Sequence, residues 1–242
     1  MIKRRNIDLN ADVGEGTPWD ELLFASGISS ANIACGAHAG GVAEMDNACR
    51  LAARHDVAVG AHPGHRDRDG FGRRVIPITP ADVPQLVRPQ IHALASIAKS
   101  HALPMRHVKA HGALYHQIGA SPDLAASFVA AVAAEAPGVL IYGLPGSALE
   151  EACKGHLTFV AEGFADRGYD SSGLLIPRTI PGALLSNTDV VAAQALQLVA
   201  SGRIDTLCIH GDGEHAHRLM LMAASALRDA GYEIKPPGSS SP

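Results

Sequence analysis

Short β-branched runs alternate with longer alanine- and leucine-rich runs along most of the chain. The short runs fall at about 6–10 (NIDLN), 30–34 (SANIA), 57–61 (VAVGA), 106–110 (RHVKA), 139–143 (VLIYG), 157–161 (LTFVA) and 206–210 (TLCIH), and each reads as a strand. Between them, 42–55, 81–102, 121–135, 187–201 and 214–230 read as helices. Helix starts are marked by Thr79-Pro80, Ser121-Pro122 and Asn187-Thr188-Asp189. Gly112 turns the chain sharply from the fourth strand into a further apolar helix. Repeated βα units of this kind build a parallel sheet flanked by helices. No linker or internal repeat interrupts them, so residues 1–235 are expected to form a single domain. The stretch KPPGSSSP then loses periodicity, which makes 236–242 an expected disordered tail.

The polar chemistry falls at the carboxyl ends of the strands. Asp12 and Glu15 follow the first, His38 the second, His62 the third, His111 the fourth, Glu162 the sixth and Asp212 the seventh. An open doubly wound sheet brings two or three such loops together at its switch point, whereas a closed barrel brings all of them to one rim. Six strands contributing polar residues therefore favour an α/β fold of the TIM-like (β/α) barrel kind, with seven strands.

Within IDLNADVGEG (7–16), alternation puts Asp8, Asn10 and Asp12 on one side of the strand, and Gly14 and Gly16 allow the turn that follows. Inward carboxylates must be paired, hydrogen-bonded or metal-bound. ANIACGAHAGG (31–41) and VGAHPGHRDRDGFGRR (59–74) each place a histidine, His38 or His62, early in a glycine-bearing loop. HVKAHGALYH (107–116) puts Lys109 and His111 two residues apart, facing the same way if the strand reaches that far. FVAEGFADRGYDSSGLLIPRTIPGALL (159–185) carries Glu162, Asp166, Arg167 and Arg178 in a long irregular segment of the sort that covers a site. LCIHGDGEHAH (207–217) contributes His210, Asp212, His215 and His217, a tract of metal-binding composition without an established zinc spacing.

At 242 residues and 47% apolar content the chain can bury one large core, and a net charge of -4 gives no basis for capturing nucleic acid or an acidic membrane. Cys35, Cys49, Cys153 and Cys208 are scattered, as in a reducing compartment, and no apolar run is long enough for a leader or a membrane span, so a cytoplasmic protein acting on a small molecule is expected. There is no Walker-type phosphate loop, no dinucleotide fingerprint and no nucleophile elbow. Carboxylate, imidazole and ammonium groups remain, which suit hydrolysis by activated water.

DLNADVGEG, SANIACGAHAGG, GAHPGHRDRDGFGRR, HVKAHGALYH, EGFADRGYD, PRTIPGALL and CIHGDGEHA, in this order from about residue 6 to about residue 235, resemble the LamB/YcsF family. The departures are Ala11 and Val13 in the first motif, Ala37 and Gly41 in the second, and Ala110 and His116 in the fourth. The resemblance implies a seven-stranded barrel of the glycoside hydrolase/deacetylase class. It also implies ATP-dependent cleavage of the lactam 5-oxo-L-proline to L-glutamate, carried out with two partner subunits, B and C. Because the chain lacks an ATP cradle, the partners are expected to handle the nucleotide.

On this reading Lys109 stabilises negative charge on the lactam oxygen or its phosphate, and His111, His38 or His62 carries the proton. Asp12 or Glu162, interchangeably, orients water or acts as base. Arg167 and Arg178 hold the substrate carboxylate. Glu15, His210 and Asp212 complete the expected substrate site. Competing readings are a stand-alone metal-dependent deacetylase or amidohydrolase with Asp12, His62 and His111 as ligands to a divalent ion, a non-catalytic substrate-binding subunit, and a carbohydrate-active enzyme suggested by barrel analogy alone. A homo-oligomer is compatible with all of them.

Overall fold

The computed structural model describes residues 5–211 and 213–238, so Asp212 and the end of the expected tail, 239–242, lie outside the described residues. In chain order the elements are β1 (Arg5–Val13), α1 (Asp20–Ala25), β2 (Ser30–Ala34), α2 (Val42–His55), β3 (Ala58–His62), α3 (Asp82–Ser100), β4 (Met105–Lys109) and α4 (Gly112–Ala120). They continue with α5 (Pro122–Glu135), β5 (Leu140–Gly143), α6 (Ala148–Cys153), β6 (Phe159–Phe164), α7 (Thr188–Ala200), β7 (Thr206–Cys208), α8 (Ala216–Asp229) and β8 (Tyr232–Ile234). Strands β1 to β7 pair in parallel in sequence order, and β1 pairs with both β7 and β2, which closes a seven-stranded barrel. β8 adds in parallel to the start of β1, at Arg5–Ile7, ahead of the Asn10–Val13 segment that pairs with β2. No helix among the described residues is long and apolar enough to cross a membrane.

All seven expected strands and all five expected long helices are present, as is the helix after Gly112. The capping signals act as their residue types suggest: the Asn187 side chain accepts from Asp189 N and Val190 N, and Ser121 Oγ accepts from Leu124 N ahead of Pro122. Two short helices and β8 are additional, because three to six residues are too few to show a period. β6 runs to Phe164, past the expected end at residue 161. Glu162, expected just after this strand, lies within it and is held inside the barrel by Asn10 and Lys109.

Alternation divides the sheet sharply. Leu9, Ala11 and Val13 face the helices and join the apolar core, while Asp8, Asn10 and Asp12 face the barrel axis, all of them buried. The axis is filled by a column of polar groups. At its base Asp8 accepts from the hydroxyls of Ser29 (2.6 Å), Ser30 (2.7 Å), Tyr142 (2.9 Å) and Thr206 (2.6 Å). Above it Asn32 Nδ2 donates to Asn10 Oδ1 at 2.7 Å and to Asp12 Oδ1 at 2.8 Å, and Asn10 Nδ2 donates to Thr206 Oγ1 at 2.7 Å. His107 stacks on Tyr142 and bonds Asn32 Oδ1 through Nε2 at 2.7 Å. Its ring occupies the space that a side chain on Gly60 would need.

Gly112 has φ of +56°, and a Cβ there would lie 2.5 Å from the Gly72 carbonyl oxygen, so the turn after β4 requires glycine for two reasons. Gly138 shares the positive φ but has nothing within 4 Å of an added Cβ. Gly138→Ala should therefore cost only backbone strain, about 1–2 kcal/mol. Gly112→Ala should cost measurably more in urea unfolding, and equal losses for the two variants would contradict the close approach of the two loops.

Candidate functional site

The polar column opens into a cavity of about 830 Å³ at the carboxyl ends of the strands. Its floor is formed by Asp12, His62, Lys109 and His111, brought from β1, β3, β4 and the start of α4. Tyr115, His116, Phe164, Arg167, Arg178 and His210 line the walls. Lys109 and His111 do face one cavity, although β4 ends at Lys109 and His111 already precedes the first residue of α4.

Lys109 is 2% exposed, and its ammonium sits between two carboxylates: Nζ lies 2.9 Å from Asp12 Oδ1 and 2.9 Å from Glu162 Oε1. It also donates to Cys208 Sγ at 3.1 Å. Burial alone would push the Lys109 pKa down, but the opposing charges, Asp12 foremost, raise it well above the ordinary lysine value. Burial likewise pushes Asp12 up, and His62 and Lys109 outweigh it, holding Asp12 well below the usual carboxylate range. The floor therefore carries a fixed ammonium and an ionised Asp12.

The structure separates the two acids that the sequence leaves interchangeable. Asp12 lines the cavity, whereas Glu162 is 1% exposed and stands outside the cavity lining. Its Oε1 receives Lys109 and Asn10, and its Oε2 receives the Tyr115 hydroxyl at 2.9 Å. A carboxylate so occupied supports Lys109, and Asp12 is the one of the two that faces the cavity.

Above Asp12 three imidazoles pack together. His38 and His111 stack with ring centroids 3.7 Å apart and 2° between planes, and His62 meets both edge-on. His62 Nδ1 lies 2.7 Å from the Lys109 carbonyl oxygen, and His111 Nε2 lies 2.8 Å from the Phe71 carbonyl oxygen. A carbonyl only accepts, so these partners assign the proton to Nδ1 of His62 and Nε2 of His111. The remaining nitrogens, His62 Nε2 and His111 Nδ1, are 3.0 Å apart. Burial first, then His62 and His38, hold His111 well below the ordinary histidine value, and burial and His62 push His38 down to about 3. Glu15 Oε1 lies 3.3 Å from His38 Nε2 and 3.4 Å from His111 Nδ1. Glu15 and His38 are absent from the cavity lining. They lie against His111, behind the wall where the expected contact with substrate would be made.

On the opposite wall His210 bonds Asp166 Oδ2 through Nδ1 at 2.9 Å and stacks on Phe164. Burial pushes the Asp166 pKa up, but the charge and hydrogen bonds of His210, together with the Arg178 charge, outweigh it and the net shift is downward. Arg167 and Arg178 both line the cavity, but Arg167 is 4% exposed and spends Nε on the Ala183 carbonyl and Nη2 on the Ile176 carbonyl. Those bonds anchor the 165–187 segment, so part of the Arg167 guanidinium is committed to backbone carbonyls. Sequence reasoning did not single out Tyr115, Phe164 or Cys208. Tyr115 was recoverable, since it follows His111 by four positions into a helix and so shares its face.

A seven-stranded parallel barrel with its polar groups at one mouth is the architecture of deacetylase-type TIM-like barrels. The family 4 carbohydrate esterase of Streptomyces lividans superposes with a TM-score of 0.57 at 11% identity, over 95% of this chain and 91% of that one, a likeness of fold. The chain belongs to the LamB/YcsF family, whose sequence profile matches residues 7–241. It is 42% identical over 253 aligned positions to the A subunit of 5-oxoprolinase from Symbiobacterium thermophilum, covering 97% of each chain. It also resembles the crystal structure of a lactam utilization protein from Thermus thermophilus, with a TM-score of 0.89 and 40% identity over 95% of this chain and 99% of that one.

Buried neutral histidines make the barrel acid-sensitive. Burial, with Lys109 next to it, lowers the His107 pKa to about 3. The unfolded chain takes up that proton near pH 6.5 and the folded chain does not. The stability contributed is complete above about pH 6.5 and is lost as pH falls from there towards 3, by about 1.4 kcal/mol per pH unit. In urea titrations at about pH 6 and about pH 4, wild type should lose stability more steeply than His107→Gln by about that slope. Parallel pH dependences would contradict a neutral His107 in the barrel.

Proposed function

We propose that the chain is the A subunit of an ATP-dependent 5-oxoprolinase, a cytoplasmic hydrolase that opens the lactam of 5-oxo-L-proline to L-glutamate together with B and C partner subunits. The observation that carries this reading is an ammonium beside an ionised carboxylate on the floor of a small-molecule cavity, in a chain 42% identical to a protein of that name. A lactam carbonyl is a poor electrophile because its nitrogen lone pair is delocalised into it. Transfer of a phosphoryl group from ATP to the amide oxygen removes that resistance. The chain has no Walker-type cradle, so the nucleotide is assigned to the partners, and this cavity receives the lactam or its activated form.

In the proposed arrangement the amide oxygen or its phosphate lies against Lys109 Nζ, which stabilises charge as water adds to the carbon. Asp12 orients that water and draws off its proton. When the C–N bond breaks, the ring nitrogen takes the Nε2 proton of an imidazolium at His210, which Asp166 holds through Nδ1, and the γ-glutamyl phosphate so formed is cleaved by a second water to L-glutamate and inorganic phosphate. Arg178 holds the substrate carboxylate and Phe164 and Tyr115 wall the ring.

The test combines this chain with purified B and C partners and follows 5-oxoproline consumption and ATP hydrolysis while each component is omitted in turn. Coupled turnover should require all three. His210→Gln should lower kcat by about 10²–10⁴-fold. If omission of this chain leaves both rates unchanged, the assignment fails. If only His210→Gln is silent, the assignment of the proton donor fails alone.

A further inference from the structure

Two imidazole nitrogens, each on a ring whose other nitrogen bonds a backbone carbonyl, face each other at the cavity floor. His62 Nε2 and His111 Nδ1 stand 3.0 Å apart, with the other nitrogen of each ring committed to a backbone carbonyl at 2.7 Å and 2.8 Å. Two lone pairs at that separation would repel, so the contact calls for a cation between them, either a proton shared as an N–H···N hydrogen bond or a metal ion. The surroundings supply two further donors. Glu15 Oε1 lies 3.4 Å from His111 Nδ1 and 3.3 Å from His38 Nε2, and one ligand atom from each of Glu15, His38, His62 and His111 falls within 4.8 Å of all the others. Asp12 Oδ2 is 3.4 Å from His62 Nε2 on the other flank.

We propose that Glu15, His38, His62 and His111 form a binding site for one first-row divalent transition-metal ion. Ligand atoms about 2.1 Å from a tetrahedral ion stand about 3.4 Å apart, and the separations of 3.0, 3.3 and 3.4 Å already approach that spacing. Three imidazoles and one carboxylate match zinc and its neighbours and are unsuited to calcium or magnesium, which take oxygen. The Lys109 and Phe71 carbonyls are the outer partners that orient metal-bound histidines elsewhere, each fixing a tautomer and a ring plane. The backbone is shaped for this packing: a Cβ on Gly72 would lie 2.8 Å from His38 Cβ and 2.9 Å from His111 Cδ2, and one on Gly64 would lie 2.7 Å from His38 Nδ1. The site was only partly legible in the sequence, which pointed to Asp12, His62 and His111. The structure moves Asp12 to the flank and brings in Glu15 and His38. The inference stands on these contacts and is independent of which lactam the cavity accepts.

The experiment reads the metal directly. Protein purified without chelators from zinc-supplemented cultures is analysed by mass spectrometry for zinc, manganese, iron, cobalt and nickel. The stripped full-length chain is then titrated with Co²⁺ and followed by visible absorption. About one equivalent of metal per chain, and a saturable Co²⁺ band of the intensity given by four-coordinate cobalt, are expected. Glu15→Gln, which keeps the side chain's size, should weaken Co²⁺ binding at least tenfold. Absence of stoichiometric metal together with no Co²⁺ band in wild type overturns the proposal and leaves a shared proton as the cation. An unchanged Co²⁺ affinity in Glu15→Gln overturns the four-residue ligand set. Neither readout depends on turnover, so they are separate from the 5-oxoprolinase reading.

Discussion

The interaction on which the site depends is the buried ammonium of Lys109 between Asp12 and Glu162. An ammonium removed from water is tolerated only where opposite charges and hydrogen-bond acceptors replace the solvent, and here two carboxylates at 2.9 Å do so. The consequence runs both ways. Lys109 keeps Asp12 ionised at the cavity floor, and the two acids keep Lys109 charged although it is almost wholly buried. A floor with a permanent positive charge beside a permanent negative one suits a reaction in which an oxygen gains charge while water loses a proton.

That triad rests on the layers beneath it. Most TIM barrels fill their axis with branched apolar side chains. This one fills it with Asp8, Asn10, Asn32, His107, Tyr142 and Thr206, which hydrogen-bond one another from layer to layer. Burial raises the Asp8 pKa against the pull of its hydroxyl donors. A polar column so densely bonded has few alternative packings, since most rotations would break a buried hydrogen bond. It fixes the height and direction of Asn10 and Asn32, which touch both Asp12 and Lys109. The precision of the floor is set from below by groups that never meet substrate.

Much of the architecture was legible in the sequence because two periods write it openly. Alternation in IDLNAD separated the helix-facing Leu9 and Ala11 from the axis-facing Asp8, Asn10 and Asp12, and polar residues at the ends of six strands favoured a closed barrel. Lys109 and His111 were recognisable from their spacing beside Gly112. What the sequence hid were pairings between distant strands. Glu162 and Asp12 look alike along the chain, and only the closure of β6 and β1 around β4 shows that one supports Lys109 while the other faces the cavity. Arg167 and Arg178 also look alike, and the loop carbonyls that occupy Arg167 come from residues 9 and 16 positions later. His38 and Glu15 read as rim residues until the stacking of His38 on His111 places them behind it.

The central claim is that Lys109 is the shared partner of two buried carboxylates and that its charge organises the cavity floor. Urea unfolding of Lys109→Met and of Lys109→Met/Glu162→Gln measures this directly. The single variant strands two carboxylates and should lose about 3–5 kcal/mol. The double variant removes one stranded charge and should be more stable than the single one by at least about 1 kcal/mol, a coupling expected of residues in contact. A double variant as unstable as the single one, or less stable than it, would show that Glu162 does not share the charge of Lys109 and would contradict the account.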